Sequence, residues 1–263
     1  MKKYVIPALA ATGLILAGAS SAAAATLTLN PSADSTVWQR AGNATWLGYE
    51  AGAFDHVDFY SFSAGADLNA FGYFQFDLSS LSGLTINSVT LTLTKVTANT
   101  DNEGFGSHST RNDSLNTDRV RLYGLTDAAG NTAQNWTEGL SYNTAGAELD
   151  QTGNVNFATD PFDVANGRAV DFSTLETIGG GTTISLANAS VTTFVQGRVN
   201  ADGFVTFLLD MNASGRGSAV YSSEAAANQP VLSIDYTPIP EPTTGSLAGL
   251  ALLALVGKLR RKR

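Results

Sequence analysis

The stretch "INSVTLTLTKV" at 86–96 constrains the fold more than any other. Val89, Leu91, Leu93 and Val96 fall near one side of an extended chain, with Ser88, Thr90, Thr92 and Thr94 opposite. An apolar–polar alternation of period two, built from β-branched residues, suits a half-buried strand and no helix. "TLTL" at 26–29, "DRVRLYGL" (Val120, Leu122, Gly124), "FVTFLLD" (204–210) and "PVLSIDY" (230–236) extend the pattern along the chain. Gly, Asn, Ser and Thr punctuate these runs as turns do. Many short strands between turn signals predict an all-β, antiparallel fold, a single jelly-roll β-sandwich, rather than an α/β one.

One stretch departs from period two. In "SVTTFVQGRV", Val191, Phe194, Val195 and Val199 stand at i, i+3, i+4 and i+8, which predicts one short amphipathic helix with Ser190 as its N-cap. Two long polar segments, 97–117 and 144–168, have no periodicity and are read as loops emerging from the sandwich. "GGG" at 179–181 is read as a turn, and no internal repeat is found.

The two ends differ from the body. Met1-Lys2-Lys3, an apolar run to Leu16 and an alanine-rich stretch form a secretory signal peptide, with cleavage expected near Ala25. Residues 1–25 are therefore the leader, 26–237 the β domain and 238–263 a tail. The domain has no cysteine, so an apolar core must hold it. Of the 15 Lys and Arg, Lys2 and Lys3 lie in the leader and five in the tail. The eight that remain face 22 acids, so the body carries about −14. That balance excludes a basic nucleic-acid footprint. It suits solubility or bivalent cations, and Ca²⁺ is the cofactor to consider.

The tail reads "PEPTTGSLAGLALLALVGKLRRKR". As a helix, Gly245–Gly257 would reach about 20 Å, short of a bilayer core of about 30 Å. Its basic end would stay in the cytoplasm. The Pro240-Glu241-Pro242 triplet, the short apolar span and the basic terminus together resemble the PEP-CTERM sorting signal of Gram-negative bacteria. That resemblance implies an exosortase-type processing protease as partner. It also implies transient attachment to the inner membrane through the C-terminal helix, and then delivery to the outer envelope, the cell surface or the medium.

The body has a resemblance of its own. "PSADSTVWQRAG", "FGYFQFDLSSLSGLTINSVTLTLT", "VRLYGLTD" followed by "NWTEGLSYN", "VTTFVQGRVNADGFVTFLLD" and "VYSSEAAANQPVLSIDY" are together similar to the DNRLRE-type domain, an exported module like carbohydrate-binding modules. The likeness covers about residues 30–237 and departs from the family in the expanded region 97–117. It implies one jelly-roll domain that binds extracellular polysaccharide without catalysis.

Site candidates follow from residue chemistry. Trp and Tyr rings offer sugars a flat apolar area with a polar edge. Trp38, Trp46 and Tyr60 are the candidates for carbohydrate binding, from a cluster that also holds Phe54 and Phe62. The competing reading is that they are core aromatics, and Trp136 in "NWTEG" is read as structural. Asp34, Asp210 and Glu224 lie near the first and last strands and are the candidate metal ligands, although no EF-hand-like loop supports them. Their alternative role is as solvated charges or partners of Arg40 and Arg216. Catalysis is not expected. His56 and His108 are the only histidines, no G-x-S-x-G or P-loop is present, and with 22 acids no chosen pair is informative. Of five N-x-S/T sequons (Asn43, Asn112, Asn135, Asn188, Asn212), none is read as functional.

Overall fold

The structure, a computed structural model, describes residues 23–39, 56–61, 69–96, 118–140, 144–149, 162–178, 183–211 and 216–238. Ala24–Thr237 form one compact unit. The described residues form eleven strands: β1 (Ala25–Leu29), β2 (Ala33–Gln39), β3 (His56–Ser61), β4 (Asn69–Asp77), β5 (Thr85–Thr94), β6 (Asp118–Leu125), β7 (Ala169–Ile178), β8 (Thr183–Leu186), β9 (Phe204–Met211), β10 (Arg216–Tyr221) and β11 (Val231–Thr237). One α-helix, α1 (Ala189–Asn200), joins them. Among the described residues no helix is long and apolar enough to cross a membrane. The tail and most of the leader lie outside them.

The strands form two antiparallel sheets. The smaller runs β1-β11-β5-β8. The larger runs β10-β3-β4-β9-β6-β7, with β2 also paired to β4. Alternation in the smaller sheet does what the sequence predicts. Val89, Leu91 and Leu93 of β5 and Leu232 and Ile234 of β11 are buried. They share one core with Phe74, Phe76, Val120, Leu122, Phe207 and Leu209 of the larger sheet. Outward stand cross-strand ranks of small polar residues: Thr26–Asp235–Ser88, then Thr28–Ser233–Thr90. Thr26 and Ser88 each donate a hydroxyl to Asp235, at 2.6 and 2.8 Å. These bonds stabilise its charge and hold the carboxyl below the usual carboxylate range. The sheets meet where β5 ends. Lys95 bridges Val220 of β10, and Val96 N donates to Ala219 O at 3.0 Å.

The helix forms where its spacing predicts, and it buries Val191, Val195 and Val199. Its cap is Asn188, not Ser190. Asn188 is extended, with φ −156°, and its Oδ1 accepts Val191 N–H at 2.8 Å, three residues into the helix. Its Nδ2 donates to Phe172 O at 3.1 Å, so the cap also ties the helix to β7. Arg198 is buried near the other end, bonded to Phe204 O, Asp127 and Asp202.

The larger sheet departs from the half-buried expectation. β4, β6 and β9 are apolar on both faces. Away from the main core, Phe71, Tyr73, Tyr123, Leu125 and Leu208 form a second apolar cluster with Trp136, Leu140, Leu149 and Phe162 from the loops. The segments 144–149 and 162–168 were expected to emerge from the fold. They lie down on the sheet instead, because Leu149 and Phe162 each bury an apolar side chain there. The segments 97–117 and 179–182 are outside the described residues.

Candidate functional site

The cover over the larger sheet is built around one buried carboxylate. Glu148 accepts Thr132 N–H at 2.9 Å, Gly146 N–H at 3.2 Å and the Thr132 hydroxyl, and the Tyr73 hydroxyl lies 3.4 Å away. Burial, with Glu148 beside it, raises Tyr73 well above the usual tyrosine range. Glu148 thus zips the two arms of the 130–149 loop together. Only glycine fits at 146, since a Cβ there would lie 2.2 Å from Thr132 N.

Side-chain amides then fasten the zipped loop to the strands. Gln134 donates to Leu125 O at 2.6 Å and accepts Thr206 N–H at 3.1 Å. Gln75 donates to Trp136 O at 2.7 Å, and Trp136 Nε1 donates to Thr206 Oγ1 at 3.1 Å. Ser35 Oγ reaches Leu140 O at 2.8 Å. Arg168 links the neighbouring cover segment through Ala129 O, Asn131 Oδ1 and Asp163. Buried polar groups paired this completely fix the loop's position.

Over this base the loop forms an open groove of 610 Å³, lined by Asn131, Thr132, Trp136, Thr137, Glu138 and Thr144 among others. The lining offers hydroxyls, an amide and a largely buried indole. Among the described residues Glu138 is its single titratable side chain. These groups can hydrogen-bond a polar ligand, and they include no nucleophile paired with a base.

Glu138 also belongs to an acid cluster at the edge of the larger sheet. Asp34 on β2 is fully buried, and its Oδ2 accepts Ser223 N–H at 2.6 Å. Ser223 Oγ donates to Glu224 at 2.7 Å, and Glu224 in turn lies within hydrogen-bonding reach of Glu138. Burial pushes the Asp34 carboxyl up to about 7. The Ser223 N–H opposes this, and the charges of Glu224 and Glu138 add to it. Glu138 is raised too, by partial burial and then by Glu224.

The residues singled out by sequence fare differently. Trp38 and Tyr60 are brought into one cross-strand rank, each paired with Ala70 from opposite edges of β4. At the usual strand spacing that sets their backbones about 10 Å apart. Trp46 lies outside the described residues, as do Phe54, Phe62 and His108. His56 opens β3 opposite Tyr221. Trp136 is structural, as expected: it is 8 % exposed and its N–H is bonded.

The trio Asp34, Asp210 and Glu224 does not form one ligand set. Asp34 pairs with Phe74, on the main-core face of the larger sheet. Asp210 shares the opposite face with Leu208, next to Arg121 and Tyr123. Among the described residues no three Asp, Glu or His side chains are arranged to hold a metal ion. The sequence reading groups Asp34 and Glu224 with Asp210, which the fold sets on the other face, and leaves out Glu138, the third member of the cluster. "NWTEG" drew attention only for its tryptophan. Glu148 and Gln134 carried no local signal.

No family model matches the chain, and no curated protein matches it.

Proposed function

We propose that this is an exported, envelope-sorted protein of the PEP-CTERM type, whose jelly-roll β domain binds extracellular polysaccharide and does not turn it over. The groove of the 130–146 loop supports the binding role most directly, with its hydroxyl and amide lining and the Glu138 carboxylate. Such a lining suits neutral, polyhydroxylated chains, while Glu138 and the acidic body disfavour anionic ones. The sorting role draws on the sequence alone: residues 24–237 lie between the leader and the tail with its Pro240-Glu241-Pro242 triplet.

A second reading, a matrix building unit with no specific ligand, is favoured by the burial of Trp136, which leaves the groove little of its indole. Affinity electrophoresis of residues 26–237 separates the two. Retardation by a neutral polysaccharide, weakened by Thr137→Ala, is expected. Free migration through every polymer tried would leave the matrix reading. The same incubations should release no unsaturated or reducing ends. Intact-mass measurement of the mature protein should show cleavage between Thr237 and Leu247, and a retained Arg263 would overturn the sorting half.

A further inference from the structure

We propose that Asp34, Glu138 and Glu224 form a proton-operated latch, which holds the groove-bearing loop against the β10–β11 turn at acidic pH and loosens it above neutrality. The three acids come from three separate elements: Asp34 from β2, Glu138 from the loop, and Glu224 from the turn after β10. Glu138 and Glu224 are exposed, and Asp34 is the buried member. It is wholly buried, and while Oδ2 takes the Ser223 N–H, Oδ1 has no hydrogen-bond partner among the described residues. Ser223 links the buried acid to an exposed one, donating its N–H to Asp34 and its hydroxyl to Glu224. Among the described residues, the charged groups acting on Asp34 are Glu224 and Glu138, both of its own sign.

Three carboxylates so placed cannot all ionise without mutual repulsion, and one of them would be ionised in the interior. A proton on Asp34 removes the buried charge. A proton on Glu138 turns its repulsion with Glu224 into a hydrogen bond across the seam between loop and turn. A bivalent cation would serve the same end, but no three of these acids are arranged to ligate one, so the geometry commits to protons. The direction follows from the folded state binding protons more tightly than the unfolded chain. The contribution of Asp34 to stability is fully present below the ordinary aspartate value and is lost as pH rises towards about 7.

The test does not depend on any polysaccharide. Urea unfolding of the chain and of Asp34→Asn is compared from about pH 4 to about pH 8, where each pH unit crossed by one such proton changes the unfolding constant roughly tenfold. The wild type is expected to lose roughly a thousandfold relative to Asp34→Asn over that range. Hydrogen exchange in 130–146 should speed up in step, after correction for intrinsic rates. Parallel stability curves would overturn the latch. So would stabilisation by Ca²⁺ near pH 8 in the wild type and not in Asp34→Asn, which would make the cluster a cation site. Carboxyl ¹³C titration of wild-type Asp34 needs no variant. A midpoint well above the aspartate range supports the latch, and an ordinary midpoint refutes it.

Discussion

Two aspartates show how far environment outweighs residue type. Asp235 on the open face of the smaller sheet receives two hydroxyls and is held in its charged form. Asp34, buried beside two acids, is pushed the other way. Gly124 shows the same for size. It occupies a core-facing position in β6, as the alternation of "DRVRLYGL" implies, but it contributes space rather than apolar surface. A Cβ there would lie 2.5 Å from Phe194 Cε1 and 2.8 Å from Phe172 Cζ. Those two rings meet edge to face over the glycine, with centroids 5.4 Å apart. Gly124→Ala should therefore cost about 1–3 kcal/mol, through overpacking. Chemical denaturation will measure this, and adding Phe194→Leu should recover part of the loss. An unchanged midpoint for Gly124→Ala would contradict the packing.

At the scale of elements, the loop cover behaves as an extra layer rather than as connections. Its hold on the sheet is concentrated in a few amides. Gln134→Ala leaves Leu125 O and Thr206 N–H buried without this partner, a cost of about 2–4 kcal/mol. Native-state hydrogen exchange should then show 130–146 opening before the strands do, and uniform exchange across loop and sheet would refute the layered view. The sequence made some elements legible and hid others for a physical reason. β1, β5 and β11 alternate because one face meets the core and the other faces outward, and α1 shows because its apolar spacing is helical. β4 is apolar at Phe71 and Tyr73 on one face and at Phe74 and Phe76 on the other, so no alternation marks which side is the core. The loop cover was illegible because its apolar anchors, Trp136, Leu149 and Phe162, are far apart in sequence and follow no period. Only the fold brings them together. For the acid cluster, Asp34 and Glu224 were legible from the closeness of first and last strands, and Glu138 was not, since a loop residue's neighbours depend on where the loop lies.

At the scale of the whole molecule, Ala24–Thr237 contains both strands that close the smaller sheet, with Ala25 paired to Tyr236. A fragment of residues 24–237 should unfold in one cooperative transition with the midpoint of the full chain. Calorimetry checks this, and a broad or early transition would mean that the flanking sequences contribute to the fold. The same pairing has a consequence in time. Thr26 bonds Asp235 across 209 positions, and Asp34 bonds Ser223 across 189. Ribosomes deliver β1 first and β11 last, so the earliest strand waits for the latest. Contacts of such long sequence separation slow folding, because the whole loop between them must close first. Until β11 arrives, β1 has no strand to pair with, and a half-made chain cannot complete the smaller sheet. The order of the strands thus acts as a clock, delaying closure until synthesis of the domain is complete.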